Sequence, residues 1–264
     1  MGRLTSGLLA RLLAGVAVAA AASTAFAADL PMPGPAPSYT PPPPARYDWS
    51  GIYFGGHIGG GLLLDEVTTT TTTFYQSAGT QTKLSPFSVI GGAQAGVNIE
   101  FNPVVVGVEG TWTSSAISGS QVTPSLLTAA LGTSQESTSA PHWYATATGR
   151  VGIAINDLLL YAKGGGAWMS VDYTQEVVAG SVLSAQILTV NRHGYTVGGG
   201  IEYALNENIS ARLEYDYLDF GTSTYNFNNL TTTIGPVGAF PVSIKSDTHM
   251  FLFGANYRFY WSKY

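Results

Sequence analysis

The segment from Gly194 to Gly221 reads GYTVGGGIEYALNENISARLEYDYLDFG and alternates between large apolar residues and small or polar ones. One phase holds Tyr195, Val197, Ile201, Tyr203 and Leu205 before the turn, and Ile209, Ala211, Leu213, Tyr215 and Tyr217 after it. A period of two places alternate side chains on opposite faces of a strand, and the turn at Asn206-Glu207-Asn208 suits a hairpin. The segment predicts two antiparallel strands whose apolar face meets lipid, with tyrosines toward the strand ends at the headgroups.

The N-terminus has the features of an export signal. Arg3 and Arg11 precede an apolar run that ends near Ala22, and Ala25-Phe26-Ala27 forms a small-residue cleavage pattern. The run is shorter than the roughly 20 apolar residues of a membrane helix, so we expect a secretory signal peptide over residues 1–27. Residues 28–47 are proline-rich and predict a disordered periplasmic lead. Residues 48–264 then form a β-barrel.

The composition is unusual for a soluble protein. Charged residues make up 10% of the chain, whereas soluble globular domains contain roughly a quarter. The formal net charge of −5 makes nucleic acid an improbable partner, and the absence of cysteine excludes disulfides and thiolate metal sites. A membrane barrel explains the pattern, since its lipid-facing side needs no charges and its spanning strands are interrupted by a polar or small residue at every second position, so no long apolar run appears.

About eight alternating segments follow Trp49, separated by connections of alternating length. Asn102-Pro103 and Asn156-Asp157 are short turns of the same kind as the one in the first hairpin. The long connections are Leu64 to Pro86, Ser114 to Pro141, Thr174 to Asn191 and Gly221 to Ser246. Short periplasmic turns and long outer loops are typical of outer-membrane barrels, so the sequence predicts eight antiparallel transmembrane strands with four long extracellular loops.

The charged residues indicate which face points inward. Those at mid-strand share one phase with glycine and small polar residues, and a soluble exterior would carry more lysine. We therefore place the apolar phase in lipid, against the alternative of a soluble barrel with an apolar interior. The predicted luminal charge network is Glu100, Glu109, Arg150, Lys163, Glu202, Arg212, Glu214, Asp216 and Arg258. In so narrow a barrel these side chains either pair and fill the lumen or line a narrow aqueous path.

Aromatic residues are expected in belts at both membrane interfaces. The predicted girdle is Trp49, Trp112, Trp143, Trp168, Tyr195, Tyr203, Tyr215, Tyr257, Phe259 and Trp261. Trp49 and Trp261 fall at the periplasmic rim, and Trp112, Trp143 and Trp168 fall at the external rim.

Four motifs resemble a known family: WSGIYFGG from Trp49, YTVGGGIEY from Tyr195, RLEY from Arg212 and NYRF from Asn256. The chain is similar to the porin-like immunogenic and opacity-type surface proteins of alphaproteobacterial outer membranes, which are related to the OmpA transmembrane domain. The resemblance covers about the whole mature chain. It implies contact with outer-membrane lipid and lipopolysaccharide, and insertion by the barrel-assembly machinery. Family members commonly end at the phenylalanine of the terminal Tyr-x-Phe signal, whereas five residues follow Phe259 here.

The sequence offers little catalytic chemistry. Its glycine runs lack the lysine and hydroxyl residue of a phosphate loop, so we interpret them as strand glycines that let a small barrel close or admit a bulky neighbour. His142, His193 and His249 fall near external strand ends, which leaves a rim enzyme or metal site open, and His57 is expected in the luminal polar network. We predict an outer-membrane barrel with a structural, surface-exposed role, with a lumen filled by side chains, and with no catalytic residue, metal or cofactor. The alternatives are a narrow porin for small solutes, and a rim enzyme or ligand-binding surface protein.

Overall fold

The computed structural model describes residues 47–71, 77–117, 119–124, 133–179, 182–227, 231–232, 235–236 and 240–260. Strands are the only regular elements of these residues: β1 (Gly51–Thr69), β2 (Gln81–Leu84), β3 (Phe87–Phe101), β4 (Val104–Ser115), β5 (Gly119–Pro124), β6 (Thr133–Ile155), β7 (Leu158–Ala179), β8 (Val182–Ala204), β9 (Ile209–Phe227), β10 (Thr231–Thr232), β11 (Gly235–Pro236) and β12 (Phe240–Phe259). No helix able to cross a membrane occurs in this part of the chain. The predicted signal peptide, nearly all of the predicted lead and Trp261 lie outside the described residues.

Eight long strands close into a ring. Its order is β1, β3, β4, β6, β7, β8, β9 and β12, and β12 pairs back with β1 through the register Ile52↔Phe259. Every pairing in the ring is antiparallel. The predicted eight-stranded antiparallel barrel is therefore confirmed. The turn at Asn156-Asp157 uses a positive φ of 53° at Asn156, which asparagine tolerates better than most residues.

Three of the four predicted long loops, residues 114–141, 174–191 and 221–246, are largely strand, so their expected boundaries were wrong. β6, β7 and β8 span 22 to 23 residues each, whereas a tilted strand crosses the hydrocarbon layer in about 9–11. The third expected loop is mostly a β7–β8 ladder that continues to Ala179↔Val182. Thr and Ser are common on sheet surfaces as well as in loops, so their abundance did not distinguish the two.

The barrel wall has an apolar outer belt over its periplasmic half. Ile153 on β6, Leu213 on β9 and Phe253 on β12 are each more than half exposed on the outer surface. Alternate residues on the same strands, including Arg150, Arg212 and Asn256, are buried inside. The predicted orientation holds here, with apolar side chains outside and polar side chains inside.

Toward the external end of the barrel, beyond the charged network, the interior becomes apolar, which the sequence did not predict. Its core contains Leu63, Val67, Leu84, Ile90, Ile117, Tyr144, Ala167, Met169, Val171, Tyr173, Leu218, Phe220, Phe227, Val242, Ile244, Met250 and Leu252. Once a strand leaves the membrane, water replaces lipid outside, and the ordinary rule of apolar residues inside applies again. The exterior there carries polar residues such as Asp172, Thr174 and Lys245.

Candidate functional site: the barrel interior

Four basic and four acidic side chains meet in the middle of the barrel, all from the predicted luminal set. Arg212 Nη1 lies 2.5 Å from Glu109 Oε2, and Lys163 Nζ lies 2.6 Å from Glu214 Oε1 and 3.0 Å from Asp216 Oδ2. These side chains are 5% exposed or less. Arg212 on β9 and Glu109 on β4 lie on opposite sides of the ring, so this pair crosses the lumen, whereas Lys163 on β7 reaches Glu214 and Asp216 on β9 past the single strand β8.

A second group of ion pairs is centred on Glu202. Arg150 Nη2 donates to Glu202 Oε2 at 3.0 Å, and Arg258 Nη2 lies 3.5 Å from Glu202 Oε1. Ser210 and Asn256 donate to the same carboxylate at 2.5 and 2.9 Å. Arg150 also lies 3.6 Å from Glu109, so the two groups form one network. Hydrogen bonds and opposite charges together offset the cost of burying these groups.

A glycine makes room for an aromatic member of this network. The Tyr53 hydroxyl donates to Glu109 at 2.8 Å and accepts from Arg150 at 2.9 Å. A Cβ atom on Gly96 would overlap that hydroxyl. Gly96 therefore admits a bulky neighbour.

The segment before β1 closes the periplasmic mouth. Trp49 is fully buried, and the Arg258 guanidinium lies 4.9 Å from its ring centroid and donates to its carbonyl oxygen. The backbone N–H of Trp49 donates to Glu100 Oε2 at 2.8 Å, and Tyr47 packs edge-to-face on the indole ring with 4.6 Å between the ring centroids. The prediction that Trp49 belongs to the lipid-facing girdle is wrong, because the cation and hydrogen-bonding groups of the lumen hold it inside.

His57 separates the charged network from the apolar core above it. Its Nδ1 lies 2.6 Å from Gln94 Oε1, and its Nε2 lies 2.9 Å from Thr113 Oγ1. Both ring nitrogens have polar partners, as expected for a histidine in a luminal polar network.

The rest of the predicted girdle faces outward where the structure describes it. Trp112, Trp168, Tyr195, Tyr203, Tyr215, Tyr257 and Phe259 are exposed large side chains, and Trp143 is half-buried. At the external rim, tyrosyl hydroxyls bind neighbouring polar groups: Tyr195 donates to Asp219 at 3.0 Å and Tyr217 to Asp247 at 3.2 Å. An apolar ring with a hydrated hydroxyl suits the headgroup region.

Comparison with known proteins agrees with this architecture. Residues 133–263 match the model of the OmpA-like transmembrane domain. The 31 kDa outer-membrane immunogenic protein of Brucella melitensis is 28% identical over 187 residues, covering 69% of this chain and 75% of the relative. The 25 kDa outer-membrane immunogenic protein of the same organism is 26% identical over 231 residues, covering 83% and 86%. The chain is an outer-membrane β-barrel protein whose residues 133–263 are similar to the OmpA-like transmembrane domain.

A solved structure supports the fold of this OmpA-like barrel. The outer-membrane protein OprG from Pseudomonas aeruginosa superposes with a TM-score of 0.52 at 13% identity, covering 82% of this chain and 99% of OprG. The family and its relatives confirm the outer-membrane location that the sequence predicted.

The rim histidines of this OmpA-like barrel lie on three strands and have different neighbours. His142 Nε2 lies 2.9 Å from Asp172 Oδ2, and hydrogen bonds from Thr189 and then His142 hold the pKa of Asp172 below its usual range. His249 Nδ1 lies 2.7 Å from the Tyr215 hydroxyl, and His193 is opposite Trp168 in the β7–β8 register. The described residues contain no group of three His, Cys, Asp or Glu side chains arranged to hold a metal.

The sequence reasoning missed a second buried polar group, above the rim. Arg192 Nη1 donates to Ser246 Oγ at 2.8 Å and to the Tyr173 hydroxyl at 3.0 Å, and Ser246 donates to Asp65 at 2.5 Å. Burial raises the pKa of Asp65. Arg192 shares a phase with Thr196 and Glu202, so extending the alternation beyond the predicted strand end would have placed it inside.

Proposed function

We propose that this OmpA-like barrel has a structural, surface-exposed role and that side chains fill its lumen. The observation that carries this proposal is the cross-lumen network of Glu109, Arg150, Lys163, Arg212 and Glu214, whose distances are those of direct ion pairs. An ion path would need water between these groups. Trp49 below the network and the apolar core above it add two further barriers.

The same interior disfavours a role in solute transport or catalysis. Glu109 and Lys163 have no exposed side-chain surface, so no aqueous solute reaches them in this conformation. At the rim, His142 has an aspartate partner but lies more than half exposed on the outer surface, where nothing excludes water from a reaction. In this proposal the apolar belt contacts lipid and lipopolysaccharide, and the barrel-assembly machinery is the partner of the protein during its insertion.

Planar-bilayer recording tests the proposal. Purified protein in lipid should give no reproducible conductance steps, and a preparation from cells lacking the protein serves as the matched control. Steady conductance steps that appear only with the protein would refute the filled lumen and indicate a narrow porin. An enzymatic activity of the purified protein that is lost in the H142A, H193A or H249A variant would refute the purely structural role and indicate a rim enzyme.

A further inference from the structure

One row of the barrel wall brings Lys163 on β7 and Asp216 on β9 together across β8. Lys163 is opposite Gly198 in the β7–β8 register, and Gly198 is opposite Asp216 in the β8–β9 register. A Cβ atom on Gly198 would overlap both Asp216 Oδ1 and the Tyr215 carbonyl oxygen, so the glycine leaves the space in which the two side chains meet. Lys163 Nζ lies 3.0 Å from Asp216 Oδ2. An amine and a carboxyl group are therefore in direct contact over the luminal face of β8.

Asp216 differs from the other carboxylates around Lys163 in its partners. Glu109 and Glu214 each form an ion pair with Arg212 as well as with Lys163. Within the described part of the chain, the ion-pair partner of Asp216 is Lys163 alone, and its Oδ1 is buried and has no hydrogen-bond partner. A buried carboxylate oxygen without a donor carries the cost of its lost hydration.

A neutral link between Lys163 and Asp216 would remove this cost without disturbing the balance of charge. It would take one cation and one anion out of the luminal network together, so each remaining arginine keeps its carboxylate partner. Water-excluded surroundings favour one neutral group over two ions. The side chains of Lys163 and Glu214 have no exposed surface, and that of Asp216 is 5% exposed.

Glu214 lies where it can move protons between the two groups. Its Oε1 lies 2.6 Å from Lys163 Nζ, closer than the oxygens of Glu109 and Asp216. The Tyr161 hydroxyl donates to Glu214 Oε2 at 2.5 Å, and Arg212 Nη2 lies 3.2 Å from Oε1, so the carboxylate is held from both sides. A carboxylate fixed within hydrogen-bond distance of an amine has the geometry of a general base.

We propose that Lys163 and Asp216 condense to an isopeptide bond, an amide between their side chains that joins β7 covalently to β9. Glu214 accepts a proton from the Lys163 ammonium group, and the lone pair of Nζ then forms a bond to Cγ of Asp216. The bond between Cγ and one carboxyl oxygen breaks, and that oxygen leaves as water with the two protons that Nζ loses, one of them passed on by Glu214. An ammonium and a carboxylate thus become one neutral amide and one water, with no other reactant.

The fixed contact makes this condensation feasible in the folded barrel. Groups held in a reactive geometry reach effective concentrations of about 10⁵–10⁸ M, far above those of free amines and carboxylates in solution. The inference goes beyond the structural role proposed above. Ion pairs of Arg150, Arg212 and Arg258 fill the lumen whether or not the amide forms.

Tryptic digestion and mass spectrometry of wild-type protein test this inference. Protein purified from outer membranes is denatured before digestion, so that every free lysine is accessible to trypsin. Trypsin does not cut after a lysine whose amine is part of an amide. We expect residues 151–192 as one uncut peptide joined to residues 213–245, with a mass one water below the sum of the two. Unlinked protein would give residues 151–163 and 164–192 as separate peptides.

Refolding from urea into liposomes measures the rate of linking and the role of Glu214. Glu214→Gln keeps both reacting groups but removes the proton acceptor, so linking should slow at least about tenfold. The matched control is Asp219→Asn at the external rim of the same strand, which should link at the wild-type rate. Lys163→Arg keeps the positive charge and should give cleavage after residue 163. The electrophoretic mobility of each variant before and after heating checks its folding, and the wild-type digest stands if a variant does not fold.

Three results would overturn the proposal. Wild-type protein from outer membranes gives only the separate peptides 151–163 and 164–192, the linked peptide forms equally in protein that stays in urea, or Glu214→Gln links at the wild-type rate. The first result would leave an ordinary ion pair between Lys163 and Asp216. It would not touch the filled lumen, which the bilayer recording tests separately.

Discussion

Arg212 and Glu109 join opposite sides of the barrel, with 2.5 Å between Nη1 and Oε2. Arg212 lies on β9 and Glu109 on β4, and three strands separate β4 from β9 in either direction around the ring. Arg150 on β6 and Lys163 on β7 reach the same carboxylate at 3.6 and 3.4 Å. Glu109 is therefore the acceptor that connects the largest number of cations in the lumen.

Removing the charge of Glu109 should destabilise the barrel strongly. Glu109→Gln leaves Arg212, Arg150 and Lys163 without their shared carboxylate, and breaking a buried ion pair costs about 3–5 kcal/mol. Urea unfolding in liposomes measures the free energy of unfolding. The control is Glu66→Gln on the outer surface, which should change it by at most ~1 kcal/mol. A loss below ~1 kcal/mol for Glu109→Gln would contradict the network.

Tryptophan quenching should distinguish Trp49 from the lipid-facing aromatics. Variants that retain only Trp49 or only Trp112 are compared in liposomes of brominated lipid. Fluorescence from Trp112, which is 52% exposed on the outer wall, should be strongly quenched, and fluorescence from the buried Trp49 should not. Equal quenching would place Trp49 in the girdle after all. Trp49→Ala should also cost about 3–5 kcal/mol, the usual range for a buried tryptophan.

The part of the barrel above the rim should become less stable as the pH rises. Burial raises the pKa of Asp65, so the folded state binds a proton more tightly than the unfolded state does. Stability then falls as the pH increases from about 3.9, the ordinary aspartate value, up to the raised pKa. Asp65→Asn should remove this slope. The pH dependence of stability is measured by hydrogen exchange of amides on the outer part of β1, converted to opening free energies at each pH. An identical slope in the wild type and in Asp65→Asn would show that Asp65 does not cause the pH dependence.

A positive charge on the outer belt should be costly. Leu213 is 53% exposed in the middle of the outward phase of β9, and arginine at the bilayer midplane costs about 2–4 kcal/mol. Leu213→Arg is compared with Asn226→Arg, an exposed residue of the same strand above the rim, where we expect a change within about 0.5 kcal/mol. Urea unfolding in liposomes measures both variants. Equal effects would show that Leu213 does not face lipid.

The sequence predicted the parts of the barrel where lipid imposes a regular alternation. Arg150, Lys163 and Arg212 were placed inside because they share a phase with glycine and small polar residues. The two-residue turn at Asn156-Asp157 and the bounds of β3 were predicted for the same reason. In the membrane-spanning strands, lipid outside and paired charges inside impose a strict alternation that is visible in the amino-acid sequence alone.

Prediction from the sequence failed where the chain is not surrounded by lipid. Trp49 lies outside any strand, so alternation gave no information about its direction, and its interaction with Arg258 depends on closure of the ring. Asp65 and Arg192 lie above the membrane, where the inner face becomes apolar and the outer face polar. This inversion made the extended strands resemble polar loops.

Cysteine labelling tests the central claim most directly, because the chain contains no native cysteine. Thr148→Cys places a small thiol on the luminal face of β6, and Asn226→Cys places one on the exposed surface. A water-soluble maleimide should label Cys at 226 rapidly in the folded protein, and should label Cys at 148 only after denaturation. Labelling of both at comparable rates in the folded protein would show that water fills the lumen and would contradict the account.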